Sequence, residues 1–284
     1  SFLIKLLTDR DEFVRNRVQQ QLINLGEDAL PFLEIAIRGG DDDLRIQANA
    51  LIQSILPQKL AEKFRQLAQK GLGQDIDLET GMMLIMEFGY PNSDPEEFRQ
   101  KLDELAQNFA DILNPEAEPP EIVAAFTHFL FQQKGFKGNK DDYQNPDNSF
   151  LNKVLDNQTG LPITLSAICV LLAKRLHLPI VGVGMPGHYI VKYSLPIEPI
   201  YFDPFHQGRL LTKKECIQIV EQFGHSFEEH FLSQATQRET LIRMLNNLIQ
   251  VYKKSNETKK AETLTKYIKI LLNPSKDQQS ERIH

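Results

Sequence analysis

His188 and Asp203 are the residues of this chain whose types and spacing best suit joint chemistry. In GMPGHYIVKYSLPIEPIYFDPF, Gly184 to Phe205, the histidine follows a Pro-Gly turn and opens one apolar run. The aspartate closes the next run, fifteen residues on. A carboxylate beside an imidazole fixes its tautomer and leaves one ring nitrogen to take a proton, which is the arrangement of an oriented general base. Such a base needs a nucleophile or a water to act on. Cys169 falls deep in an apolar segment, where burial would raise its pKa and deny it substrate. Cys216 falls in the polar TKKECIQIV, beyond the aspartate. Thr164 and Ser166 remain as hydroxyl candidates near a helix start, where hydroxyls more often cap backbone groups. Two roles stay open for the His188–Asp203 pair: a ligand-binding or water-activating site, or a buried hydrogen bond that ties two strands together.

His206 could join His188 and Asp203 as a metal ligand, but the Asp-Pro-Phe-His spacing matches no known metal pattern, and no metal is expected. GVGMPG stands between two strands instead of leading into a helix, so it is not a phosphate loop, and no cofactor is expected.

The elements that must position these residues follow from hydrophobic pattern. The polar, turn-rich DDYQNPDNSFLNKVLDNQTG leads into a short helix from about Ser149. In GLPITLSAICVLLAKRLHLPI, Pro162 suits a first helical turn, and residues 163–172 are apolar nearly all round, as in a helix buried on several sides. PIVGVGMP, HYIVKY, PIYFDPF and GRLLT then read as short strands punctuated by Gly and Pro. A buried helix followed by a small antiparallel sheet is an α+β arrangement, expected over residues 135–213.

Helices flank it. DEFVRNRVQQQL from Asp11 and DDDLRIQANALI from Asp41 repeat with a period of thirty, which resembles HEAT-like helical repeats over residues 1–57. Residues 58–134 keep a helical period: DPEEFRQKLDELAQNFADIL opens with an Asp94-Pro95 cap, and NPEAEPPE, Asn114 to Glu121, reads as an acidic linker. His128, among apolar neighbours, reads as a packed core histidine, and Met82, Met83 and Met86 as core filler. Residues 214–284 are helical again. Leu245, Leu248, Tyr252, Ala261, Leu264, Ile268 and Pro274 match tetratricopeptide spacing over about 240–274. Seven lysines against two glutamates between Val251 and Lys276 make a solvated face or a docking patch for an acidic partner.

NSFLNKVL, GLPITLSAI, GVGMPGHYIVK and FDPFHQGRLL together resemble the SirB-type bacterial regulator family, whose transglutaminase-like core also occurs in a eukaryotic F-box protein. Transglutaminase-like and papain-like enzymes place a cysteine at the start of a buried helix, then a histidine and an aspartate on successive strands. The resemblance therefore implies that fold and assigns His188 and Asp203 to it. It also implies a cysteine some fifteen residues before the end of the helix, and counting back from HLPI, His177 to Ile180, lands on Pro162. Proline offers neither thiol nor hydroxyl.

Composition bounds the rest. A chain of 284 residues, with net charge −6, can bury a sizeable core and gives no general case for nucleic acid or an anionic membrane as partner. Two cysteines argue against a disulfide framework. No apolar stretch is long enough to span a bilayer. A cytoplasmic location is expected. The reading is a non-catalytic interaction or regulatory protein with protein partners bound through the helical repeats. The alternative is an amide hydrolase that uses Thr164, Ser166 or a His188-activated water.

Overall fold

The computed structural model describes residues 2–71 and 73–273. By internal contacts the chain forms two compact units, Ser1–Gln66 and Leu67–His284.

The first unit is helical. It contains α1 (Phe2–Lys5), α2 (Glu12–Leu25), α3 (Leu30–Gly39) and α4 (Asp42–Lys70) up to Gln66. Aspartates start two of these helices, as their short side chains allow. Asp11 accepts from the Phe13 amide at 2.8 Å and Asp41 from the Leu44 amide at 2.9 Å, each satisfying an orphan donor of a first turn. Leu7, Leu22, Leu33, Ala48 and Ile55 share one apolar core. The chain stays helical through Pro57, although the proline supplies no amide hydrogen there.

The second unit is α+β and helix-rich. Its helices are α5 (Leu78–Gly89), α6 (Pro95–Ala110), α7 (Pro119–Thr127), α8 (Leu151–Asn157), α9 (Pro162–Arg175), α10 (Lys213–Gln222), α11 (Gln237–Lys254) and α12 (Thr258–Leu272). Asp94 caps α6 through the Glu96 amide at 3.0 Å, with Pro95 at the first helical position. Helix α7 begins inside the proline-rich stretch read as a linker: Glu118 and Glu121 close a capping box around Pro119 and Pro120, a helix start that tolerates proline. A π-helical segment, His128–Gln133, follows it. His128 is exposed there, which corrects its reading as a core residue.

Two short strands, β1 (Lys137–Gly138) and β2 (Thr159–Gly160), pair in parallel on either side of α8 in sequence. The main sheet is antiparallel, in the order β3 (Ile180–Met185), β4 (His188–Tyr193), β5 (Ile200–Asp203), β6 (Arg209–Leu211). Its register pairs Met185 with His188, Val191 with Phe202 and Asp203 with Arg209.

Helix α9 forms the centre of this unit. Residues 162–169 are all buried, and α9 packs on β3 and β4 as well as on α6. Each fully buried Leu or Ile there stabilises the fold by about 1.5–3 kcal/mol relative to exposure. Arg175 at its C-terminus holds Glu79 of α5 through two bonds of 2.7 and 3.1 Å and Asp103 of α6 at 2.5 Å. Helices α11 and α12 pack together, and their Tyr252 and Tyr267 each meet Phe88 edge-on at 6.2 Å. The expected stop at Pro274, like Lys276, lies outside the described residues. No helix among the described residues is long and apolar enough to cross a membrane.

Candidate functional site

The β3–β4 turn and the end of β5 build the site. Gly187 takes φ +75° in the turn, and a Cβ there would lie 2.0 Å from the Phe223 ring, so glycine is required both for conformation and for space. Arg243 on α11 clasps the turn from both ends, donating to the Met185 carbonyl at 2.8 Å and the His188 carbonyl at 3.0 Å. Its guanidinium lies over the Tyr189 ring at 5.5 Å. His188 is thereby fixed at the first position of β4, where it is 8% exposed.

Asp203 ends β5 and caps the 3-10 turn Pro204–His206. Its Oδ1 accepts from the amides of Phe205 at 2.9 Å and His206 at 3.3 Å. Its Oδ2 lies 2.7 Å from His188 Nε2 and 2.8 Å from His206 Nδ1. An ionised carboxylate can only accept, so both imidazoles donate to it. Burial alone would raise the Asp203 pKa. The hydrogen bonds and charge of His188, then of His206, outweigh burial and hold it below the ordinary value of 3.8. With Nε2–H committed to Asp203, Nδ1 of His188 has no hydrogen-bond partner among the described residues.

The candidate nucleophiles are placed differently. Thr164 and Ser166 are both 0% exposed. Ser166 Oγ is 3.5 Å from the Tyr189 carbonyl, and Thr164 Oγ1 has no partner among the described residues. Cys169 is fully buried in α9, and burial pushes its thiol far above the ordinary range. Cys216 lies on the apolar side of α10, packed with Val183, Met185 and Ile190. Burial, and then the carboxylates of Glu215 and Asp203, push its pKa up to about 11. Pro162 is buried at the first position of α9.

His206 is the residue that sequence reasoning undervalued. The sequence offered it only as a metal ligand, whereas the 3-10 turn makes it a second imidazole on Asp203, with its side chain 45% exposed. The ligand atoms of His188, Asp203 and His206 lie within 4.8 Å of one another, so among the described residues they are the set that could hold a metal. The two hydrogen bonds to one carboxylate oxygen already account for their convergence. A metal would instead need all three lone pairs to meet at one point about 2.0–2.2 Å from each atom.

An aromatic floor adjoins the cluster. The Phe205 ring lies 5.3 Å from that of His206, 6.4 Å from that of His188 and 5.8 Å from that of Tyr143. Beside it opens a cavity of about 570 Å³, bounded by the β1 segment, Thr159 and His206. What this arrangement can do chemically is hold a polar ligand against a fixed imidazole, or let His188 Nδ1 take a proton from a water.

Residues 96–246 match the transglutaminase-like superfamily. The chain is 33% identical over 198 residues to the UPF0162 protein of Xylella fastidiosa strain 9a5c, covering 66% of this chain and 69% of that protein. A UPF0162 protein of Pseudomonas aeruginosa is 28% identical over 170 residues, 59% of this chain and 62% of its own length. Mouse F-box only protein 21 is 30% identical over 142 residues, 47% of this chain but 22% of that protein. No solved structure matches the chain.

Proposed function

This chain belongs to the transglutaminase-like superfamily, and from that premise we propose that it works without a thiol nucleophile, as a binding and regulatory protein whose His188–Asp203–His206 cluster recognises a polar ligand. The observation that carries this reading is the complete burial of the four candidate nucleophiles: Thr164, Ser166, Cys169 and Cys216 are each 0% exposed. Attack on an acyl carbon requires a nucleophile in contact with substrate, and thiols held well above their ordinary pKa are not thiolates near neutral pH. The resemblance to SirB-type regulators adds that the nucleophile position falls on Pro162. On this reading the family's base and its orienting carboxylate persist, and the cysteine does not. The helices of residues 1–57 act as HEAT-like repeats and those of about 240–274 as a tetratricopeptide-like unit, each a surface for a protein partner, in a cytoplasmic setting.

The test is an amine-incorporation and peptide-hydrolysis assay on the intact chain and on a Cys169→Ala, Cys216→Ala double variant. Neither protein is expected to turn over an acyl substrate by a thiol route. Turnover that the parent shows and the double variant loses would sink the proposal.

One observation favours a second reading, hydrolysis through a His188-activated water: the unpartnered Nδ1 of His188. Its signature is hydrolysis that survives iodoacetamide and the double cysteine variant but disappears in His188→Ala.

A further inference from the structure

The cavity beside His206 is lined against the overall sign of the molecule. The chain carries a net charge of −6, yet Lys137 and Lys140 bound this cavity of about 570 Å³ together with Asn139, Thr159 and His206. Neither lysine makes an ion pair with a described residue, and both are exposed. Asp141, also on the rim, is the one acidic residue lining it. His206 commits Nδ1 to Asp203, which leaves Nε2 as its polar atom for a ligand. Asn139 commits its amide nitrogen to Asn148 Oδ1 at 2.9 Å and its carbonyl oxygen to the Asp142 amide at 3.0 Å, so its side chain is held in place.

The floor is built as well. Gly138 passes so close over Phe205 that a Cβ would lie 2.4 Å from the ring, and the β1–β2 pairing holds Gly138 there through Asn139 N to the Gly160 carbonyl at 3.2 Å. The lysines therefore extend from backbone pinned on an aromatic base, next to an imidazole pinned on a buried carboxylate. The volume lies within the 300–1,000 Å³ typical of ligand sites.

We propose that this cavity binds an oxyanion, carboxylate or phosphate, on a small ligand, with the charge between Lys137 and Lys140 and the rest of the molecule reaching His206. This rests on the reading of the His188–Asp203–His206 cluster as a recognition site and names its ligand class. Lysine supplies a compact point charge with three donors, which suits either oxyanion, whereas the planar fork of an arginine would select a bidentate geometry.

The experiment is an amide-resolved NMR titration of the full chain with inorganic phosphate and, separately, with glutarate, at low ionic strength. The expected result is saturable shifts at Lys137, Lys140 and His206, weakened as salt is added because the site is open to solvent. A Lys137→Gln, Lys140→Gln variant should weaken binding by at least about fivefold, the scale of losing two exposed charge contacts. Its thermal midpoint should match the parent, because neither side chain is buried. Response to phosphate alone assigns a phosphorylated ligand, and response to glutarate alone a carboxylate one. Saturable binding of neither anion overturns the proposal, as does full-strength binding by the double variant. Thiol-dependent turnover would defeat the wider reading without altering the titration, so the two failures are distinguishable.

Discussion

Along the first turns of α9, Thr164, Ser166 and Cys169 are each 0% exposed; Ser166 makes one long hydrogen bond to the Tyr189 carbonyl, and Thr164 makes none among the described residues. At the ends of β4 and β5, Asp203 accepts four hydrogen bonds, and the imidazoles on it grade from His188, nearly buried, to His206, with 45% of its side chain exposed. Both regions belong to one unit and pack against each other, since α9 meets β4 and the turn that carries His206. The helix treats its polar atoms as packing volume, while the strand ends satisfy every carboxylate lone pair and still present a ring to solvent. The difference teaches where to look for function: a group prepared for binding is fixed by partners and reachable, and only the strand ends are both.

The largest effect should come from the helix. Ile168→Ala removes a 0% exposed side chain from α9 and should lower the unfolding free energy by about 2–5 kcal/mol. His206→Ala, by contrast, should cost less than about 1 kcal/mol, because a hydrogen bond from a half-exposed ring contributes little. Urea unfolding of both variants checks the contrast, and comparable losses would erase the distinction between the regions.

Asp203→Asn comes next. It removes the charge that two imidazoles and two amides share, at a cost of about 1–3 kcal/mol near neutral pH. The sign of the pH dependence is fixed. A carboxylate held below 3.8 in the fold takes up protons more readily when unfolded. Its stabilisation is fully present above the unfolded value and fades as pH falls through the folded one. Parent and variant should therefore converge in stability as pH drops below about 4, the ordinary carboxyl range. A gap that stays constant down to strong acid would mean that Asp203 is not the ionised hub of the cluster.

Thiol labelling is a smaller effect and sharpens the same contrast. With Cys216 pushed up to about 11 and Cys169 higher, native protein should take up no iodoacetamide at pH 8, and both thiols should react only on unfolding. Rapid native labelling of Cys169 would show that α9 is not sealed.

Much of this was legible in the sequence. Asp11 and Asp94 sit where a short acceptor starts a helix, and they cap. The apolar density of residues 163–172 gave a buried helix, and Gly-Pro punctuation with β-branched runs gave strands that bring His188 within 2.7 Å of Asp203. Three features were not legible, each for a physical reason. His128 looked buried because its neighbours are apolar. In a π-helical segment an extra residue per turn shifts the faces, so Phe129, Leu130 and Phe131 are buried in succession while His128 is exposed. The β1–β2 pairing spans two residues, too short to show any period. The bond from His206 to Asp203 depends on a 3-10 turn whose three-residue period returns the ring to its own cap residue.

The smallest predicted effect separates the two regions most finely. Thr164 Oγ1 is buried and has no partner among the described residues, so the fold bears the desolvation of a hydroxyl without a bond in return. Thr164→Val keeps the β-branched shape and replaces that hydroxyl with a methyl, a change whose sign depends on whether the hydroxyl is idle. If it is, the variant should be as stable as the parent or more stable by up to about 1 kcal/mol, since replacing an unsatisfied polar group with an apolar one of the same shape is neutral to favourable. A loss of more than about 1 kcal/mol would reveal a hydrogen bond made by that oxygen. The same protein also speaks to chemistry. Were Thr164 the nucleophile of an amide hydrolase, its replacement would abolish turnover while the fold stayed intact. Were His188 activating a water, turnover would persist in Thr164→Val and fail in His188→Ala. Unchanged stability with no turnover in parent or variant is the outcome expected of a helix that packs and a strand junction that binds.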